Sequence, residues 1–103
     1  MSTLVTQIEQ ARAQQVSVSE DSLVVDLVDG RTIIVPLVWY PRLWYGTIAE
    51  RNNFEIIGDG TIIHWDDLDE DLSVDGLLAG RHSGESQKSL AKWLEGHSLA
   101  HKV

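Results

Sequence analysis

Apolar positions near the N-terminus recur first with a helical period and then with the period of β-strands. Spacings of three and four residues separate the apolar positions Leu4, Val5, Ile8 and Ala11. Because a helix brings such positions onto one face, we predict an N-terminal helix over about residues 3–15. Two β-branched runs in SLVVDLVDGRTIIVPL then flank Asp29-Gly30, a dipeptide typical of tight hairpin turns. The first third of the chain is therefore predicted to hold a helix followed by a β-hairpin.

A two-residue loop at Asp29-Gly30 would set the register of this hairpin. It would pair Leu27 with Thr32 and Val25 with Ile34. One face would then consist of Leu23, Val25, Leu27, Thr32 and Ile34. The other face is also largely apolar, so we expect both faces to be at least partly covered.

Helical turns and a second hairpin are predicted for the middle of the chain. Pro41 suits the first position of a helix, and Thr47-Ile48-Ala49-Glu50 has the pattern of a capping box. We therefore expect a helical region over residues 41–53. Two further runs of β-branched and aromatic residues flank a glycine-rich turn within residues 54–65. This pattern predicts another hairpin.

The C-terminal part completes the predicted fold. Ser73 is expected to cap a short helix. A last helix over about residues 85–95 would place Leu90, Trp93 and Leu94 on one face and end at Gly96. These elements predict a single α+β domain over residues 1–103. Its small antiparallel sheet of two hairpins would be packed against short helices and flanked by N- and C-terminal helices.

Charge is concentrated in one segment of this 103-residue chain, whose formal net charge is −8. Residues 54–80 contain eight acidic side chains and neither lysine nor arginine. Nucleic-acid binding depends on basic side chains that displace counterions, so we expect no nucleic-acid partner for this chain alone. A basic protein is the partner that such a surface suits.

The amino-acid composition also indicates the cellular compartment of the protein. There is no cysteine, which excludes disulfides and thiolate metal sites and is typical of a reducing compartment. The N-terminus lacks the features of a signal peptide, and the apolar run 33–40 is interrupted by Pro36 and is too short for a membrane span. We therefore expect a cytoplasmic protein without a membrane partner or a cofactor.

The acidic run in HWDDLDEDLSVDGLL raises the question of metal binding or catalysis. A calcium loop starting at Asp67 would have acids at positions 1, 3 and 5, but Leu72 and Leu78 would occupy the positions of the required glycine and glutamate. We therefore predict no metal site and no catalytic residue. An acid–base or metal-dependent activity that uses His64 and carboxylates of residues 66–71 is kept as an alternative.

An aromatic block lies upstream of the acidic run. About two of its four aromatic side chains are expected in the core, and aromatics left exposed beside an arginine are typical of protein contacts. We predict a partner-binding surface in which exposed aromatics meet acidic side chains. Its candidate residues are Trp39, Tyr40, Arg42, Trp44, Tyr45, Asp66, Asp67, Asp69 and Glu70.

Several of these blocks together resemble a known family. The sequence has DGR at residues 29–31, VPL at 35–37, WYPRL at 39–43 and IHWDDLDEDLSVDGLL at 63–78. Their order and spacing over about residues 20–79 are similar to the domain-of-unknown-function family 2442, although Asp66 stands where that family usually has proline. The resemblance implies a small α+β domain without an established enzyme activity, of a kind associated with bacterial toxin–antitoxin pairs.

The leading interpretation is a non-enzymatic, protein-binding module that is antitoxin-like or adaptor-like. Its acidic face and aromatic anchors would meet a basic, toxin-like protein. Only about 24 residues follow Ala79, too few for a three-helix DNA-reading unit. Besides the enzyme that uses His64, a second alternative is a homo-oligomeric structural protein whose terminal helices pair two copies.

Overall fold

The structure, a computed structural model, describes residues 10–101 of the chain. Over these residues six strands form two antiparallel three-stranded sheets, joined and covered by short helices. The strands are β1 (Ala13–Val18), β2 (Ser22–Leu27), β3 (Thr32–Pro36), β4 (Glu55–Ile57), β5 (Ile62–Trp65) and β6 (Glu70–Ser73). The helices are α1 (Pro41–Trp44), α2 (Ile48–Asn52), α3 (Val74–Leu78) and α4 (Gln87–His101), with 3-10 turns at Leu37–Trp39 and Gly58–Gly60.

The first sheet has the order β1-β2-β3 and contains the predicted hairpin, but in a different register. Leu23 lies opposite Val35 rather than Pro36, because the loop has three residues and ends at Gly30 with a φ of 99°. Such a loop, with a left-handed last residue, is the next most common hairpin connection after the two-residue one. The shift by one residue places Val35 in the core and leaves Ile34 66% exposed, so the prediction that Ile34 shares a face with Leu23 and Val25 was wrong.

The predicted N-terminal helix is also corrected. Residues 13–15 belong to β1 and residues 10–12 lie outside any helix, while residues 3–9 lie outside the described part of the chain. A register irregularity between Ala13 and Gln15 shifts the alternation of β1. Because of it, Ala13 and Val16 are both buried although they lie three positions apart, a spacing that a regular strand would place on opposite faces.

The second sheet has the order β4-β5-β6 and contains the second predicted hairpin. Its third strand, β6, comes from the acidic run and was not predicted. Leu72 of β6 lies opposite Ile63 of β5 on the buried face, while Asp71 points to the other face opposite His64. The carboxylates of the run are therefore arranged by a strand and by the four-residue turn that precedes it, Asp66–Asp69.

Capping interactions place the helices as the sequence predicted, except at the end of α4. Thr47 and Glu50 form the capping box at the start of α2, and Ser73 Oγ accepts a hydrogen bond of 2.9 Å from the Gly76 N–H of α3. Helix α4 continues through Gly96 to its last residue, so the predicted stop at Gly96 was wrong. A solvent-exposed glycine inside a helix costs only about 1 kcal/mol, which the rest of a helix can offset.

One apolar core is shared by the two sheets and the helices. Its buried members are Ala13, Val16, Leu23, Val25, Leu27, Val35, Leu37, Tyr40, Leu43, Ile63, Trp65, Leu68, Leu72, Val74 and Leu77. The predicted α+β class, with antiparallel strands and short helices, is confirmed. The two hairpins do not share one sheet as predicted, because each is completed by a third strand into a separate three-stranded sheet. Within residues 10–101, no helix combines the length and the apolar character needed to cross a bilayer.

Candidate functional site

The acidic turn is held against the first helices by its one apolar side chain. Leu68 is completely buried, and both of its methyl groups lie 3.0 Å from the position that a Cβ would take on Gly46. Asp69 ends the turn in the left-handed region with a φ of 51°, a conformation that aspartate tolerates. The carboxylates of Asp66 and Asp69 are 85% and 90% exposed. The sequence thus buries a leucine here and presents the acids to solvent.

The corner between α1 and α2 presents apolar side chains next to this turn. Trp44 is 40% exposed, Tyr45 54% and Ile48 70%. Besides the contact between Gly46 and Leu68, the Asn53 side chain donates a hydrogen bond of 2.9 Å to Asp67. The corner and the acidic turn are therefore adjacent parts of one surface. We call the set of Trp44, Tyr45, Ile48, Asp66, Asp67 and Asp69 the acidic–aromatic surface.

Arg51 holds the corner in place through backbone carbonyl groups. Its guanidinium donates to the carbonyl oxygens of Leu43 at 2.8 Å, Trp44 at 2.6 Å and Glu20 at 3.2 Å. The same group lies 5.9 Å from the Trp44 ring centre, within the range of a cation–π contact. Trp44 is thereby held in place while part of its ring remains open to solvent. Neither Arg51 nor Ile48 was among the predicted site residues. The sequence places both in the predicted helical region 41–53 and does not indicate that Arg51 binds backbone carbonyl groups.

Arg42, which was predicted to face the partner, is used inside the molecule. Its Nε donates to both oxygens of Glu85 at 3.0 and 3.1 Å, its Nη2 donates to Glu85 Oε2 at 2.6 Å, and its Nη1 donates to the Asp69 carbonyl oxygen at 2.9 Å. The Trp93 ring of α4 covers the guanidinium at 5.1 Å. The hydrogen bonds between Arg42 and Glu85 raise the pKa of Arg42 and lower the pKa of Glu85. Arg42 therefore joins the acidic turn to the segment that leads into α4.

The other two predicted aromatics lie partly or wholly inside. Tyr40 is 2% exposed and its hydroxyl donates a hydrogen bond of 2.6 Å to the Arg81 carbonyl oxygen. Burial raises the pKa of this phenol. Trp39 is half-buried and stacks on the His82 ring at 3.8 Å. Of the four aromatics, Trp44 and Tyr45 are thus the two that remain exposed.

His64 lies on the solvent side of the second sheet between two carboxylates. Its Nδ1 contacts Asp71 on the neighbouring strand, and its Nε2 lies 3.6 Å from Asp66. The hydrogen bond to Asp71 raises the pKa of His64, which favours the charged imidazolium. Among the described residues no group of three or more His, Cys, Asp or Glu side chains is arranged to hold a metal ion. His64 can hold a proton at the surface in this arrangement. His64 and the neighbouring carboxylates remain the candidate residues for the alternative in which the protein is an enzyme.

Glu70 differs from the other acids of the run because it is half-buried. It follows Asp69 at the start of β6, and desolvation raises its pKa. It lines a cavity together with residues 81–84. Stacking of His82 on Trp39 and the Tyr40–Arg81 hydrogen bond draw this segment onto the fold, and neither contact is visible in the sequence.

Comparison with known proteins gives the chain a family. The sequence profile of a family described as "Protein of unknown function (DUF2442)" matches residues 13–83. No curated protein matches the chain.

Two solved structures share the fold. A protein of unknown function from Rhodospirillum rubrum is 31% identical, with a TM-score of 0.66, over 77% of this chain and 98% of that one. An uncharacterised protein from Chromobacterium violaceum is 25% identical, with a TM-score of 0.63, over 88% of this chain and 84% of that one. The profile match covers β1 through β6 and the segment that lines the cavity, which confirms the resemblance seen in the sequence motifs. The chain therefore belongs to the DUF2442 family of proteins of unknown function.

Proposed function

We propose that this chain is a non-enzymatic protein-binding module of the cytoplasm, antitoxin-like or adaptor-like, whose partner is a basic protein. The observation that supports the proposal most strongly is that the corner with exposed apolar side chains packs against the turn with exposed acidic side chains. Trp44 and Tyr45 are 40% and 54% exposed beside a turn with three exposed carboxylates. Protein contacts commonly combine central aromatic anchors with a charged rim.

The two parts of the surface would contribute differently to binding. Burial of a large aromatic side chain in a partner's pocket supplies affinity, and loss of such an anchor costs about 2 kcal/mol or more. The carboxylates remain largely hydrated and would mainly accelerate encounter with a basic partner and disfavour an acidic one. Trp44 is held by Arg51 before binding, which reduces the entropy that its immobilisation would cost.

The test uses the full chain, a variant that lacks the two anchors, and a control variant that lacks an exposed apolar side chain elsewhere. Trp44→Ala with Tyr45→Ala removes the anchors, whereas Ile34→Ala removes a side chain that is 66% exposed on the outer face of the first sheet. Proteins from the host that the wild-type chain retains are identified and purified. Their dissociation constants are then measured by calorimetry.

We expect the double variant to bind the purified partner at least about thirtyfold more weakly, which corresponds to about 2 kcal/mol. Ile34→Ala should remain within about twofold of the wild type, since an exposed side chain outside a contact contributes little. Equal affinity of the wild type and the double variant for a purified partner would exclude the acidic–aromatic surface as the contact.

A further inference from the structure

A cavity of about 210 Å³ opens between β6, α3 and the segment that follows α3. Its walls include Tyr40, Glu70, Leu72, Ser73, Arg81 and His82. Apolar wall is supplied by the Tyr40 ring and Leu72, while Glu70 contributes a carboxylate. Since Glu70 directly follows Asp69, the cavity adjoins the acidic end of the acidic–aromatic surface.

Glu70 is a half-buried carboxylate with little internal compensation. The one hydrogen bond that the described residues give it runs from its own neighbour, the Asp71 N–H, to Oε1 at 3.0 Å. Arg42 is the cation that acts on it electrostatically, and that guanidinium is already bound by Glu85. The neighbouring charges of Glu85 and Asp71 are also negative. Placing a charge in such a setting is unfavourable unless an opposite charge joins it.

We propose that this cavity binds the cationic side chain of a basic residue, an arginine or a lysine, presented by the protein partner. The Glu70 carboxylate receives the guanidinium or ammonium group, and the aliphatic stem lies against Leu72 and the Tyr40 ring. Charge complementarity supports this occupant. Two acidic residues, Glu70 and Asp71, line the cavity against one arginine, Arg81, so a further cation compensates the remaining negative charge. The inference rests on the proposed function and names the group of the partner that the acidic end of the surface recognises.

The first arm of the test uses small probes with the full-length chain. N-acetyl-arginine methylamide carries the cation, and N-acetyl-citrulline methylamide has nearly the same shape without the charge. In two-dimensional NMR spectra, we expect the arginine probe to shift the backbone amides of residues 70–73 and 81–84 with a Kd on the order of millimolar, as suits one side chain. The citrulline probe should leave these amides unchanged up to about 50 mM, more than tenfold above that Kd.

Two carboxamide variants locate the binding carboxylate. Glu70→Gln should weaken the arginine probe at least tenfold, whereas Asp69→Asn, which neutralises a carboxylate that is 90% exposed, should change its Kd by less than about twofold. Both variants are first checked for a folded spectrum. Absence of shifts with the arginine probe, equal shifts with citrulline, or wild-type affinity of Glu70→Gln would each overturn the proposal.

The second arm separates this inference from the proposed function. With a purified partner, Glu70→Gln should weaken binding at least tenfold in addition to any effect of Trp44→Ala and Tyr45→Ala. A partner that needs the two aromatics but binds Glu70→Gln as tightly as the wild type would leave the proposed function standing and overturn the cavity assignment. Probe binding without an effect of Glu70→Gln on the partner would assign the cavity to a free small cation instead.

Discussion

Glu70 places a negative charge where the folded chain solvates it poorly. Desolvation is the largest influence on this group and raises its pKa above the ordinary value of 4.5. A carboxylate whose pKa is higher in the folded than in the unfolded state destabilises the fold when ionised. This penalty is fully present above the raised pKa and disappears as the pH falls through it towards 4.5.

Glu70→Gln should therefore stabilise the domain near pH 7.5, because it removes the penalty and keeps the shape of the side chain. A gain of about half a kcal/mol corresponds to a rise in Tm of about 2–4 °C in a domain of this size. The gain should shrink as the pH is lowered towards 4.5, which urea unfolding at a series of pH values measures. A variant less stable than the wild type at pH 7.5 would mean that the bond from Asp71 and the attraction of Arg42 outweigh desolvation.

His64 also makes the free energy of unfolding larger as the pH is lowered from 7.5, so its contribution needs a separate control variant. Its pKa is raised in the folded state, first by the hydrogen bond to Asp71. It therefore contributes stability that is fully present below its unfolded pKa of about 6.5 and is lost as the pH rises through the higher folded value. His64→Gln should remove this part of the pH dependence and leave the part that depends on Glu70.

At the scale of elements, α4 is tied to the rest of the fold by polar contacts at two points. Near its start, Glu85 binds Arg42, and the Trp93 ring covers that guanidinium. Farther along, His97 contacts the buried Glu50 of α2 at 3.1 Å. Three apolar residues of α4 are only half-buried, namely Leu90, Trp93 and Leu94. The attachment of α4 thus depends on a nearly buried ion pair more than on a broad apolar face.

Arg42→Met should consequently destabilise the domain by about 2–4 kcal/mol. The side chains of Arg42 and Glu85 are 16% and 10% exposed, and removal of one partner leaves the other charge nearly buried and unpaired. The double variant Arg42→Met with Glu85→Met should recover at least half of the loss, because no charge is then left without its partner. Urea unfolding of the three variants measures both values.

The exposed pair Arg31–Asp29 provides the matched control. Its atoms are 2.7 Å apart, but the side chains are 61% and 52% exposed, so Arg31→Met should cost far less stability than Arg42→Met. A loss at Arg42 no greater than the loss at Arg31 would show that the Arg42–Glu85 pair does not hold α4.

The sequence predicted those elements whose signals are local. The capping box at Thr47, the cap at Ser73 and the start of α1 at Pro41 depend on groups within one turn, and all three are confirmed. The register of the first hairpin was missed because Asp29-Gly30 suits loops of two and of three residues. Only the packing of Val35 into the core selects between them.

Non-local contacts account for the remaining errors. The predicted N-terminal helix was extended through residues 13–15 from a stripe that ends at Ala11, and no local signal marked the start of β1 at Ala13. Strand β6 was not predicted, because its sequence is rich in acidic residues and only Leu72 in it is buried. The candidate site shows the same limit. Exposed aromatics beside an arginine suggested a surface shared with the acidic run, but no sequence pattern pairs Arg42 with Glu85, 43 residues away.

For the whole molecule, charge is distributed so that one region carries all the excess. Residues 54–80 hold eight acids without lysine or arginine, while the rest of the chain has eight acidic and eight basic side chains. The fold keeps much of this charge outside, since Asp66, Asp67, Asp69 and Asp71 are all exposed. A basic partner would therefore meet a field of one sign around the acidic turn.

This field predicts how salt affects association with the purified partner. The rate of association should fall at least about tenfold between 50 mM and 500 mM NaCl, because the Debye length shortens from roughly 14 Å to 4 Å over that range. The triple variant Asp66→Asn, Asp67→Asn, Asp69→Asn should associate more slowly at low salt and show a weaker salt dependence. Its dissociation rate should change little, whereas Tyr45→Ala should act mainly on dissociation. Stopped-flow mixing at several salt concentrations measures these rates, and an association rate that does not change with salt would exclude the acidic turn from the encounter.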